Sequence, residues 1–231
     1  MLTLGVDLAS ADERTAMARI EWAGGAAVVR ELQLGVSDNE LVAAIGGVDQ
    51  AGVDCPLGWP SAFVDFVVAH RAGTWRPVDA DASWRRTLAY RVTDQVVRAE
   101  VGINPLSVSA DRIAYVAFRC ANLLAQLPGH NVVEVYPAAS LRRWGLTHRG
   151  YKVDGHDALL DALLAAAPWL DLGPYGKLAR TSHDAFDAVI AALAARAAAI
   201  GCTLLPTADQ QEAARTEGWI ALPTGELKDL P

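Results

Sequence analysis

Within the first 54 residues, three strand patterns, the second and third joined by a tight turn, precede a helix pattern. A second short apolar run then ends, like the first, in an aspartate. The opening run Leu2-Thr3-Leu4-Gly5-Val6 closes at Asp7. In Thr15–Trp22 the residues Ala16, Ala18, Ile20 and Trp22 alternate onto one face, and Gly24-Gly25 supplies a hairpin turn into Ala26–Leu34. Ser37 or Asp38 caps a helix through about Ile45, with Glu40 in its first turn and Gly46-Gly47 at its end. Ala51–Asp54 then reads as a short parallel strand. Three antiparallel strands, a helix and a buried strand predict a mixed sheet that continues as α/β.

The remainder divides into an irregular stretch and a helical one. Leu57 to about Ser109 contains Trp59-Pro60, a helical stretch near Ala62–His70, Gly73, Pro77 and an Arg/Asp-rich segment; a stretch this long is functional or carries small helices. Beyond it, Ala110–Leu127 predicts an amphipathic helix and Asn131–Val135 a buried strand. Asp157–Ala167 and His183–Ile200 predict helices, and Glu217–Pro223 a short edge strand. The expected organisation is one domain over residues 1–231 with a helical and irregular insertion at about 57–109.

Composition narrows the function. The 231 residues are 52% hydrophobic and 20% charged, which excludes global disorder. The net charge of -7 counts against a large footprint on duplex DNA, although acidic metal ligands contribute to that balance and Arg is concentrated mid-chain. The Ala-rich stretch Ala185–Cys202 is interrupted by Asp187 and Arg196, so no membrane span is expected. With no leader pattern, the expected compartment is cytoplasmic. Cys55, Cys120 and Cys202 are odd in number and widely spaced, and read as free thiols rather than zinc ligands or a disulfide.

The chemistry lies in the acids. Asp7, Asp54 and Glu134 fall at or near the C-terminal ends of strands, where right-handed α/β topology converges on one edge. Asp184 and Asp187, three apart, share one helical face. Carboxylates gathered there repel unless cations neutralise them, and hard oxygen donors favour Mg²⁺ or Mn²⁺ over Zn²⁺. Every one of these acids except Asp187 also has a plain structural use. Asp7 and Asp54 suit turns, Asp184 suits a helix N-terminus, and Glu134 suits an ion pair with an arginine such as Arg142. His183 is a cap, or a base that orients water. Arg91 and Asp94, also three apart, read alone as a surface ion pair.

The ordered segments Gly5-Val6-Asp7, Gly52-Val53-Asp54-Cys55-Pro56-Leu57-Gly58, Arg91-Val92-Thr93-Asp94, Glu134-Val135-Tyr136-Pro137, His183-Asp184-Ala185-Phe186-Asp187-Ala188 and Glu217-Gly218-Trp219-Ile220 resemble the DUF429 family, described as predicted nucleases of the ribonuclease H-like fold. The resemblance covers nearly the whole chain. It implies a ribonuclease H-like α/β sheet, three antiparallel strands and then parallel ones, flanked by helices. It also implies a resolvase-like Mg²⁺ or Mn²⁺ site at Asp7, Asp54, Asp184 and Asp187, with Glu134 as an auxiliary carboxylate and His183 beside it. Arg91 and Asp94 belong to the signature, with Arg91 as a phosphate contact. Asp54 stands where resolvase-like enzymes commonly carry Glu, a departure that alters metal spacing.

The expected function is therefore a metal-dependent nuclease or phosphodiesterase, in which a metal-activated water hydrolyses a nucleic-acid phosphodiester. DNA and RNA are undistinguished, and the oligomeric state is open, a homodimer included. One competing reading is a non-catalytic metal- or nucleic-acid-binding regulatory module. Another, an actin-like nucleotide phosphohydrolase, is disfavoured because Gly5-Val6-Asp7-Leu8-Ala9-Ser10 lacks the Asp-x-Gly-Thr phosphate loop.

Overall fold

The computed structural model describes residues 1–151 and 155–231. Strand β1 (Leu2–Asp7) is followed by β2 (Ala16–Ala23), β3 (Ala26–Leu34), helix α1 (Asp38–Gly46) and β4 (Gln50–Asp54). Helices α2 (Ser61–Arg71), α3 (Ala82–Ala89), α4 (Val92–Val101) and α5 (Ala114–Leu124) lead to β5 (Val132–Glu134). Then come α6 (Pro137–Arg143), α7 (His156–Ala166), β6 (Leu170–Asp171), α8 (Gly176–Thr181), α9 (His183–Ala199) and α10 (Gln211–Glu217).

The strands form one six-stranded sheet in the order β5-β4-β1-β2-β3-β6. The β1–β2 and β2–β3 pairs are antiparallel, whereas β1–β4, β4–β5 and β3–β6 are parallel. This mixed sheet, flanked by helices, is compatible with a ribonuclease H-like fold. Strand alternation divides the core into two layers. Leu4, Val6, Met17, Ala51 and Val53 pack with Leu41 and Ile45 of α1 and with Cys120 and Leu123 of α5. Ala16, Ala18, Ile20 and Trp22 pack on the opposite face with Leu160 and Leu163 of α7 and Ile190 and Leu193 of α9.

The start of α1 follows its sequence closely. Ser37 is the N-cap, and its reciprocal hydrogen bonds with Glu40 complete a capping box. The amphipathic pattern at 110–127 yields a shorter helix. Ser107 N–H donates to Asp111 Oδ2 at 2.7 Å and Ala110 N–H donates to Ser107 Oγ at 3.0 Å, so side chains hold the preceding turn outside α5. The expected edge strand at Glu217–Pro223 reduces to isolated bridges, Ile220 with Glu134 and Pro223 with Thr203. Glu217 instead ends α10, and Gly218 at φ 85° turns the chain. The irregular stretch 57–109 carries α2, α3 and α4. Phe66 of α2 meets Trp75 and, on α3, Trp84 edge-on, at ring-centroid distances of 5.0 and 5.8 Å. Among the described residues, no helix is long and apolar enough to cross a membrane.

Candidate functional site

Two glycines decide how closely α9 approaches the sheet. A Cβ on Gly5 would lie 2.1 Å from both Ala188 O and Ala192 N, and one on Gly52 would lie 2.8 Å from Ala191 O. The helix thus rests its backbone on β1 and β4, which the alanines of its buried side permit. Asp7 and Asp54 follow these glycines by two residues, so their side chains point to the same face of the sheet. They are register partners across the parallel β1–β4 pair. Asp187, one residue before Ala188, is 1% exposed, buried in the first turns of α9.

Tyr151 connects these acids. Its hydroxyl donates to Asp187 Oδ1 at 2.7 Å. The phenol's pKa is raised, first by burial, then by the charge and hydrogen bond of Asp187, and further by the charges of Asp54 and Asp7. The hydroxyl is thus bonded to Asp187 and lies within the electrostatic reach of Asp54 and Asp7. Tyr151 was not marked by the sequence because it lies outside every periodic segment.

Asp184 takes a different position. Arg14 forks onto it, Nε to Oδ2 at 2.7 Å and Nη2 to Oδ1 at 3.0 Å, with the arginine side chain 72% exposed. The bond to Asp184 and its charge, with a smaller contribution from Asp7, raise the Arg14 pKa. Asp184 thus stands at the rim, beside a cation that the sequence did not single out. His183 packs against His156, with Nδ1 to Nδ1 at 2.9 Å, while His156 Nε2 lies 2.8 Å from Ala179 O. A carbonyl only accepts, so His156 Nε2 carries the proton; in the neutral ring its Nδ1 then accepts from His183 Nδ1. A base role for His183 would fall to its Nε2.

The remaining signature residues assemble elsewhere, as a buried clamp. Arg91 Nη2 donates to Glu134 Oε1 at 2.6 Å and to Asp94 Oδ1 at 2.9 Å, and Arg91 Nη1 donates to Glu134 Oε2 at 2.7 Å. The three side chains are 1–3% exposed, so the Arg91–Asp94 pair is not the surface pair expected from its spacing. The partner of Glu134 is Arg91 rather than Arg142. Burial acts to lower the Arg91 pKa, but Glu134 and Asp94 outweigh it and hold the guanidinium charged. Glu134 Oε2 also accepts from Leu57 N–H at 3.0 Å, and the Glu217 carboxylate accepts from Ser61 and Val92 N–H at 2.8 and 2.9 Å. Gly218 fits this crowding: a Cβ there would lie 3.0 Å from Glu134 Oε2. Four of the separated motifs thus meet in one polar network that ties α4, β5, α10 and the loop after β4 together.

A cavity of about 230 Å³ joins the two groups. Asp7, Asp54 and Cys55 line one part, Arg91, Glu134 and Tyr136 another, and Pro105, Leu106, Ile113 and Val116 give it an apolar wall. Cys55, Cys120 and Cys202 are free thiols. Among the described residues, no three His, Cys, Asp or Glu side chains are gathered closely enough to hold a metal ion. By donor type, Asp7, Asp54 and Asp187 offer hard carboxylate oxygens, the kind that Mg²⁺ and Mn²⁺ prefer.

The sequence model of DUF429, described as a protein of unknown function, matches residues 5–212. No curated protein and no solved structure gives a significant match.

Proposed function

We propose that this chain, which belongs to the DUF429 family, hydrolyses nucleic-acid phosphodiesters with a divalent cation held by Asp7, Asp54 and Asp187. The observation that carries this reading is geometric: Asp7 and Asp54 are register partners on the sheet face that α9 packs against, Asp187 is buried in the first turns of that helix, and Asp7 and Asp54 line the adjoining cavity. Bound there, Mg²⁺ or Mn²⁺ would lower the pKa of a water and stabilise developing charge on the leaving oxygen.

The protein's own groups supply position and charge. Asp7 and Asp54 are fixed by adjacent strands, so their spacing follows from the β1–β4 register rather than from loop conformation. Asp187 is fixed by the contact of α9 with Gly5 and Gly52, and Tyr151 orients its carboxylate. Asp184, held by Arg14, is proposed as an outer carboxylate. Arg91 and Glu134 stiffen the cavity's far wall, with Arg91's charge already committed to two carboxylates. That commitment weakens its reading as a primary phosphate contact.

A second reading, a regulatory module without turnover, draws support from Arg14 and Tyr151, because both stabilise the acid cluster with groups of the protein itself. One experiment separates the two: Mn²⁺ titration by calorimetry on wild type and Asp187→Asn, with a mixed DNA and RNA cleavage panel. Binding and metal-dependent cleavage, both lost in Asp187→Asn, support the phosphodiesterase. Binding without cleavage supports the module. Absence of binding by a folded wild-type protein refutes the metal site.

A further inference from the structure

A second cavity, of about 130 Å³, adjoins the first. Arg86, Tyr90, Asp94, Gln95, Arg98, Asn104 and Pro105 line it, and Pro105 also borders the acidic cavity. The shared wall continues through the clamp, since Asp94, facing the second cavity, is hydrogen-bonded to Arg91, facing the first. The chemistry of the two cavities is opposite. Both Asp94 oxygens accept from Arg91, a cation that Asp94 shares with Glu134, so this carboxylate is already partnered within the clamp. Among the described residues, Arg86 and Arg98 form no ion pair, and the side-chain amides of Gln95 and Asn104 make no hydrogen bond to the protein. Arg86 lies over the Tyr90 ring, 5.6 Å from its centroid, which restrains the guanidinium without using its donors.

We infer that this second cavity is a phosphate subsite, which takes a phosphate next to the one at Asp7 and Asp54 on the same nucleic-acid strand. The inference rests on the phosphodiesterase reading and extends it. Two guanidiniums with uncommitted N–H forks and two amides match the oxygens of a phosphate. A chain of net charge -7 needs such a local cationic pocket to hold a polyanion against its own acids. Leu106, 57% exposed at the edge of the acidic cavity beside Pro105, offers apolar surface to the sugar or base between the two phosphates.

The test measures binding of a short single-stranded oligonucleotide by fluorescence anisotropy, in EDTA and over a range of salt, so that no metal or turnover is needed. Arg86 and Arg98 are both exposed, so the Arg86→Gln/Arg98→Gln double variant should unfold at the wild-type midpoint. Its affinity should fall about ten- to a hundredfold. Its salt slope should flatten by roughly 0.7, the value for one phosphate no longer neutralised on a single strand. Inorganic phosphate should compete with the oligonucleotide on wild type and fail to do so on the variant. Unchanged affinity and slope in the variant, or no oligonucleotide binding by wild type, would overturn the subsite. Asp7→Asn keeps the two readings separate. Arginine-dependent binding by a wild type that cleaves nothing leaves the subsite and removes the phosphodiesterase. Cleavage that is lost in Asp7→Asn but untouched by the double variant does the reverse.

Discussion

Tyr151 and Asp187 lie 36 positions apart and meet at 2.7 Å, hydroxyl to Oδ1, in the interior beside α9. A buried carboxylate that loses a donor bears much of its desolvation uncompensated. Tyr151→Phe should therefore destabilise the metal-free protein by about 1.5–3 kcal/mol, as for a hydrogen bond to a charged group. Saturating Mn²⁺ should return the urea midpoint toward that of wild type, since a bound cation compensates the same charge. A variant as stable as wild type without metal would show that the contact does not orient Asp187.

The approach of α9 to Gly5 predicts an unusually intolerant glycine. In Gly5→Ala the new methyl meets backbone atoms of Ala188 and Ala192, which have no rotamer to yield. The cost should exceed about 3 kcal/mol, the upper end for an overpacked core. Any folded fraction should bind Mn²⁺ more weakly, because the displaced helix carries Asp187. Equal midpoints in chemical denaturation would contradict this packing.

The two arginine–carboxylate pairs should behave differently. Arg91→Ala leaves Glu134 and Asp94 buried without their cation and should cost about 3–5 kcal/mol. Arg14→Gln removes an exposed partner and should cost less than about 1 kcal/mol. Denaturant midpoints for the two variants give the comparison directly, and a costly Arg14→Gln would place that pair in the fold rather than at the rim.

Alkaline pH should destabilise the protein. The Cys55 pKa is raised well above its ordinary 9.0, first by a hydrogen bond with Cys120 and then by burial. The folded state keeps a proton that the unfolded chain releases, so this stability is complete below pH 9.0 and declines above it. Tyr151, also raised, acts in the same direction above the ordinary tyrosine value of 10.0. Urea midpoints at about pH 8 and about pH 10 should show the decline, and Cys55→Ala should reduce it. A thiol reagent at neutral pH should label the partly exposed Cys202 before the buried Cys55 and Cys120.

The local sequence by itself determined the elements whose physics is local. The alternation of Ala16, Ala18, Ile20 and Trp22 gave β2 its buried face, Gly24-Gly25 the hairpin, and Ser37 with Glu40 the start of α1. Apolar runs ending at Asp7 and Asp54 placed two carboxylates on neighbouring parallel strands, and Asp187 was readable as an acid out of place on an apolar helix. Only the tertiary structure decided which acids belong together. Asp94 and Glu134 are as acidic in sequence as Asp7 and Asp54, yet Arg91 draws them into a clamp, while Arg14 holds Asp184 at the rim. Tyr151 and the uncommitted Arg86 and Arg98 carry no periodic signal. The reason is physical: a charge takes its role from the partner and the dielectric around it, and both are set by residues remote in the chain.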